Sequence, residues 1–191
     1  MQPLIDHFQK YLPLKEEEKE LITARATRRK IKRRQMILQE GFTCKHYTFV
    51  MQGCFRMYAI DDKGTEHNVQ FAAENDWIAD IGSFHAGKPG GFFIEAIEPS
   101  EIIQIEQQDL YFLYLNVPKL DRIFKVIIEN KYVELQNRVL QNISSTAQQR
   151  YLHFLERYPH LANRLPNTQI ASYLGITPEF LSKIRKDLAG K

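Results

Sequence analysis

Leu165-Pro-Asn-Thr-Gln-Ile-Ala-Ser-Tyr-Leu-Gly-Ile-Thr-Pro-Glu-Phe-Leu-Ser-Lys-Ile-Arg-Lys-Asp-Leu188 is the stretch on which the reading of this chain turns. Its spacing predicts a short helix over about Thr168–Leu174. Gly175 follows, the residue type that most readily takes the left-handed conformation at a helix C-terminus. Thr177 is a good N-cap, and Pro178 falls at the first helical position, where its missing N–H costs nothing. A second helix is expected after it, with Phe180, Leu181, Ile184 and Leu188 on one face. Ile170, Leu174, Ile176, Leu181 and Ile184 can then pack together, with small Ala171 letting the two helices approach. The opposite face offers Glu179, Ser182, Lys183, Arg185 and Lys186. This is the helix-turn-helix arrangement that lays a recognition helix in a DNA major groove. A plain helical hairpin is the alternative.

On this reading the partner is double-stranded DNA. Thr168, Gln169 and Thr177 are expected to anchor phosphates, with Pro178 on the same surface. Glu179, Ser182, Lys183 and Lys186 are expected to face bases or backbone. Glu179 can accept a hydrogen bond from cytosine N4.

Charge supports the assignment by its position. The 191-residue chain has a formal net charge of +3. From Ser144 to Lys191 there are seven Lys/Arg against three Asp/Glu, so the rest of the chain is slightly acidic. The excess positive charge therefore lies where phosphate attraction requires it. A second basic run, Arg25-Ala-Thr-Arg-Arg-Lys-Ile-Lys-Arg-Arg34, holds seven cations in ten residues. It reads as a solvated helix end and an edge strand, where Lys and Arg discourage strand-to-strand aggregation. A second nucleic-acid patch is the alternative there.

The composition, 43% hydrophobic and 26% charged, suits one or two soluble domains with real cores. No apolar run reaches the roughly 18 residues of a membrane span, and Met1–Lys10 lacks the apolar stretch of a signal peptide. No membrane association is expected. Cys44 and Cys54 form no CxxC pair and no four-cysteine set, which excludes the usual zinc and iron–sulfur patterns. A cytoplasmic protein with reduced thiols is expected. The six histidines show neither HxH nor HxxxH spacing, and no GxSxG nucleophile motif occurs. The chain is read as a non-enzyme without a metal or cofactor.

Moving upstream, residues 4–27 look helical, with an early break at Leu12-Pro13-Leu14. Short strands follow at about Arg33–Gln39, Tyr47–Met51, Phe55–Ile60, Glu66–Ala72, Phe92–Ile97 and Glu101–Ile105. Turn signals at Glu40-Gly41, Gln52-Gly53, Asp61–Gly64 and Glu98-Pro99-Ser100 separate them. This pattern argues for an all-β barrel or jelly roll. Beyond Glu106 the helical period returns. Pro118 opens a segment to about Ile143 with Leu120, Phe124, Ile127 or Ile128, Lys131 or Tyr132, Leu135 and Val139 along one stripe. The spacing resembles a coiled-coil seam, so a dimerisation helix is expected, with a monomer core helix as the alternative. Thr146–Tyr158 is expected to form another amphipathic helix, with Tyr151, Leu152 and Leu155 inward.

Asn75–Phe93 is glycine-rich and begins beside the sole tryptophan, Trp77. Backbone N–H groups in such a loop can cradle a phosphate. No matching guanidinium is present, and Lys88 is the nearby cation. Trp77, Phe84, Phe92 and Phe93 point instead to an apolar interior.

The order of parts, with Glu40-Gly41, Gln52-Gly53-Cys-Phe-Arg56, Trp77-Ile-Ala-Asp80 and Ile170–Lys186, resembles the Crp/Fnr family of bacterial transcription regulators over nearly the whole chain. The resemblance implies an α+β architecture. An N-terminal, cyclic-nucleotide-binding-like β jelly roll with flanking helices would span 1–117. A long dimerisation helix would span 118–143, with Leu120, Phe124, Ile127, Leu135 and Val139 at its seam. A helix-turn-helix DNA-binding domain would span 144–191. The partners implied are DNA, a second copy of the chain and RNA polymerase.

Cyclic-AMP-binding members carry a Gly-Glu pair for the ribose and an Arg-Ser/Thr-Ala triplet for the cyclic phosphate. Here the pair is Ala79-Asp80, followed by Ile81, Gly82 and Ser83, and the triplet region is Gly90-Gly91-Phe92. Asp80 can still meet a hydroxyl, but the arginine is absent, and a buried phosphate without its cation is costly. Cyclic AMP binding in the usual way is therefore not expected. The four-cysteine iron–sulfur sensor of other members is also absent. A wing after the recognition helix is expected to be reduced, or replaced by the segment around His160–Leu165. Two rival functions remain. One is a cyclic-nucleotide-binding regulatory protein whose C-terminal helices contact protein. The other is a cupin-like enzyme, which needs a clustered His/Glu set.

Overall fold

The cation-rich run is a strand. Ala26–Ile31 (β1) pairs antiparallel with Ser100–Glu106 (β8) and forms the edge of its sheet. Four of its residues are exposed cations or polar groups, and Ile31 alone is buried. Arg28 and Lys30 both reach Glu101 on β8. The helical expectation for residues 4–27 is corrected accordingly. Two short helices, Gln2–Gln9 (α1) and Glu16–Ala24 (α2), precede the strand.

The computed structural model describes residues 1–189. The remaining strands are Met36–Leu38 (β2), His46–Gln52 (β3), Phe55–Ile60 (β4), Glu66–Ala72 (β5), Trp77–Ile78 (β6) and Phe93–Ala96 (β7). They form two four-stranded sheets, ordered β1-β8-β3-β6 and β2-β7-β4-β5, which is the jelly roll. Ile81–Ala86 (α3) lies between β6 and β7, and Gln107–Asn116 (α4) follows β8. The strand expected over Arg33–Gln39 shrinks to three residues, because Lys32–Gln35 turns and Arg34 takes a positive φ of 61°.

The chain divides into two units. The first holds Met1–Ala59 and Gln70–Glu129, and the second holds Ile60–Val69 and the described residues from Asn130 on. In the first, β3 and β8 pair Tyr47 with Ile105 and Phe49 with Ile103, putting those four side chains on one face. Trp77 joins them opposite Phe49. Phe8 of α1 stacks on Trp77 at 5.8 Å, and Phe124 meets Trp77 edge-on at 5.1 Å. Phe124 belongs to Pro118–Ser144 (α5), whose Leu120, Ile123 and Ile127 are also buried here. Leu120, Phe124 and Ile127, three of the five residues expected at the dimer seam, are thus core of this unit, which corrects their expected place.

His7 sits in that aromatic cluster, 7% exposed, with its Nε2 accepting from the Trp77 indole N–H at 3.2 Å. Burial, and after it the charge of Lys10, pushes its pKa down from 6.5 to about 4. The unfolded chain therefore takes up a proton below pH 6.5 that the folded state refuses until about pH 4. Stability from this group is intact above pH 6.5 and is lost as pH falls towards 4. The expected loss is up to about 3 kcal/mol. Urea midpoints at pH 7 and pH 4.5 should draw closer together in His7→Phe than in the parent. An equal pH drop in both proteins would refute the assignment.

In the second unit, Ala147–Arg157 (α6), Asn167–Leu174 (α7) and Pro178–Ala189 (α8) surround a small core of Tyr151, Phe154, Leu161, Ile170, Leu181 and Ile184. Thr146 caps α6 in a capping box with Gln149. Leu152, expected inward, is 40% exposed, and Phe154 takes the buried position, four residues before Tyr158. Glu134 of α5 holds this unit together. It accepts two guanidinium N–H bonds from Arg157, each 3.0 Å, and the Tyr158 hydroxyl at 2.9 Å. Burial works to raise its pKa, and Arg157, Lys131 and Tyr158 outweigh it, holding the carboxyl below its usual range.

Candidate functional site

The helices α7 and α8 form around Gly175, which has a φ of 66° and ends α7. The Thr177 hydroxyl accepts from the Phe180 N–H at 3.2 Å, and Pro178 is the first residue of α8. Ile170, Ala171 and Leu174 of α7 are buried, as are Leu181 and Ile184 of α8. Each local signal in the sequence is used as its chemistry requires.

The polar face of α8 is real but smaller than expected. Glu179, Ser182, Lys183 and Lys186 are exposed. Arg185 is turned inward, a correction to its expected place on this face. It donates to Asn167 Oδ1 at 2.6 Å and to the Ala162 carbonyl at 3.3 Å, with its guanidinium 5.4 Å from the Tyr151 ring. It ties α8 to α7 and to the segment before it. Phe180, expected on the packed face, is 46% exposed. Two apolar residues, Leu181 and Ile184, suffice to seal α8, so the preceding aromatic side chain is left outside.

Thr168 is exposed at the start of α7, as a phosphate anchor needs. Gln169 is corrected: its side-chain oxygen is buried without a hydrogen-bond partner. Its surroundings come from the β4–β5 hairpin, whose tip belongs to this unit. The Asn68 side-chain amide donates to the Gln169 carbonyl at 3.2 Å, and the Asn68 N–H donates to Ser172 Oγ at 3.0 Å. Ser172 Oγ in turn donates to the Glu66 carbonyl at 2.8 Å. Arg138 of α5 donates to the Asn68 and Val69 carbonyls and to that of Tyr173, over whose ring it lies at 3.9 Å.

Along the rest of α5, Tyr132, Leu135, Val139, Leu140 and Ile143 are between 51% and 80% exposed. Their spacing keeps them on one stripe. Glu134 and Arg138 leave from the other side towards α6 and α7.

The glycine-rich cassette of the first unit is closed on itself. Asp80, 6% exposed, caps α3 by accepting from the Ser83 N–H at 3.0 Å. Ser83 Oγ donates to the Lys88 carbonyl at 2.5 Å and accepts from the Cys44 N–H at 2.9 Å. Ala79 is buried, Ile81 and Gly82 are exposed, and Phe92 is half-buried. Gly90 lies so close that a Cβ there would stand 2.0 Å from Asp80 Oδ2. The helix end that could receive an anion already holds a carboxylate, Ser83 has spent its hydroxyl, and position 90 has no room for a side chain. These residues do not fit a cyclic phosphate. A cavity of about 350 Å³ opens nearby, lined among others by Met36, Leu38, Phe42, Thr48, Ile94 and Gln104; residues 79–83 and 90–92 are not in its walls.

Sequence reasoning missed a buried ion pair in the same roll. Arg56 of β4 and Glu95 of β7 stand opposite each other in register and are 7% and 8% exposed. The guanidinium donates to Glu95 Oε2 at 2.8 and 2.6 Å and stacks on Tyr58 at 4.0 Å. Among the described residues Arg56 is the one arginine counted as buried. Opposite charges on neighbouring strands were the available signal. No helix among the described residues is long and apolar enough to cross a membrane.

Comparison with known proteins fits this geometry. Residues 28–116 match the family model described as the Cyclic nucleotide-binding domain. The chain is 26% identical over 168 residues to Electron transport regulator A of Shewanella oneidensis. That alignment covers 81% of this chain but 65% of the relative, so the chain spans less than two thirds of that protein's length. Among solved structures it is similar to FixK2 from Bradyrhizobium japonicum, at a TM-score of 0.74 and 18% identity, covering 86% of this chain and 85% of that one. It is also similar to the c-di-GMP responsive global regulator CLP of Xanthomonas campestris, at a TM-score of 0.74 and 14% identity, covering 92% of each chain. Residues 28–116 are a cyclic nucleotide-binding domain, and the fold is that of the Crp/Fnr regulators.

Proposed function

We propose that this chain, a cyclic nucleotide-binding domain joined to a helix-turn-helix in the fold of the Crp/Fnr regulators, is a cytoplasmic transcription regulator that binds DNA as a homodimer. The observation that carries the reading is α8. Its inner face is packed by Leu181 and Ile184, its first turn is capped by Thr177, and its outer face presents Lys183 and Lys186 with Glu179 and Ser182. The exposed apolar stripe of α5 is the dimer seam, with a second copy of the chain as its occupant. Such a dimer sets two recognition helices about 34 Å apart, one for each half of a near-palindromic site. The closed cassette supports a sensor that does not take cyclic AMP in the usual way, with Asp80 and Gly90 responsible. No catalytic role is proposed.

The test is salt dependence. Duplexes selected by the protein from a random pool should bind with a steep negative slope of log affinity on log salt. The double variant Lys183→Ala/Lys186→Ala removes four cations from a dimer, so its slope should be shallower by up to about four. An unchanged slope would count against α8 as the DNA-contacting helix.

A further inference from the structure

Phe180 is a half-exposed aromatic side chain on the outer side of α8. It stands in the first turn of α8, three residues after the Thr177 cap, and its own N–H is the one that Thr177 Oγ1 holds. Its ring is 46% exposed, while Leu181 next to it is fully buried and Ile184 is 5% exposed. Lys183 lies one turn further along and is exposed, as are Glu179 and Ser182. A large aromatic side chain held in water forgoes the stabilisation that burial gives. The buried apolar residues of α8 are Leu181 and Ile184. The N-terminal residues of a recognition helix are the ones that reach base edges. In the major groove one base carries an apolar feature, the C5-methyl of thymine, and apolar side chains including Phe are the groups that meet it.

We infer that Phe180 is a specificity-determining residue that reads a thymine methyl group in each half-site. The inference rests on the DNA-binding function proposed above. Lys183 and Lys186 supply sequence-independent attraction to phosphate, and Phe180 supplies discrimination by shedding water against the methyl. Glu179, beside it, keeps its own polar contact, so thymine reading adds to that contact.

The experiment removes the methyl group from the DNA. Sites are selected from random duplex DNA with the full-length protein. Each thymine of the selected site is then replaced in turn by uracil, which pairs identically and lacks only the methyl. At one symmetry-related pair of positions the parent protein should bind the uracil duplex about tenfold more weakly, the scale set by one lost buried methyl in each of two half-sites. Phe180→Ala should bind thymine and uracil duplexes equally at that pair, while Phe180→Leu keeps part of the preference. The salt slope should be the same in all three proteins, which separates this effect from the lysine contacts. Equal binding of thymine and uracil at every position by the parent overturns the inference and leaves the DNA-binding function standing. Preference for thymine surviving in Phe180→Ala does the same. Failure to enrich any duplex overturns both. Because the uracil comparison uses the unaltered protein, it stands even if Phe180→Ala folds poorly.

Discussion

Glu95→Ala is expected to destabilise the jelly roll by about 3–5 kcal/mol, the cost typical of breaking a buried ion pair by removing one partner. Arg56 and Glu95 face each other across β4 and β7, and both lie almost out of contact with solvent. The guanidinium lies over the Tyr58 ring, 4.0 Å from its centre, which limits its freedom to follow water outward. Removing the carboxylate leaves that charge short of its strand-opposite counter-charge in a poorly solvated place. Replacing both partners, as in Arg56→Met/Glu95→Leu, should recover most of the loss, because the burial cost of two ions disappears with their attraction. Urea titration of the three proteins decides the point. A loss below about 1 kcal/mol in Glu95→Ala would mean that the pair behaves like a surface salt bridge.

Charging the α5 stripe should convert the proposed dimer to monomer. Leu135 and Val139 are 54% and 51% exposed in a single chain. A symmetric seam would bury each of them twice. Each is already about half covered, so at roughly half of the 1.5–3 kcal/mol for burying a whole aliphatic side chain the four together contribute about 3–6 kcal/mol. Leu135→Glu/Val139→Glu should therefore weaken self-association by about two to four orders of magnitude. It should also weaken binding to a two-half-site duplex by about a hundredfold or more, since the second half-site loses its tethered partner. Sedimentation at micromolar concentration reads the first effect and DNA titration the second. A variant that sediments as the parent does would remove α5 as the seam.

The parts legible in the sequence are those set by local chemistry. Gly175, Thr177 and Pro178 mark the turn of the helix-turn-helix, because each acts on its own backbone. The strands β3, β4, β5 and β8 were legible because short strand-forming runs bounded by turn residues are local patterns. The strand β1 was legible as an edge strand within the basic run, but its bounds were not, since an edge strand with one buried residue shows cations where a period of two should appear. Two-residue β6 is too short to carry a period at all. Arg185 left its expected environment for a physical reason. Helical spacing gives a side chain's direction, whereas Asn167 and the Ala162 carbonyl, which draw Arg185 inward, come from earlier in the chain. The Arg56–Glu95 pair is 39 residues apart, so its burial depends on strand pairing that neither segment announces.

Gly90 governs how this cassette can change over evolutionary time. A single replacement of Gly90 by arginine cannot install a phosphate-binding guanidinium, because its Cβ would meet Asp80 Oδ2 at 2.0 Å and Ser83 Cβ at 2.9 Å. Asp80 would have to change first, and that step removes the cap of α3, at about 1 kcal/mol. The acid at 80 and the glycine at 90 therefore constrain each other: neither position can be exchanged alone for a phosphate-binding side chain without disturbing the other.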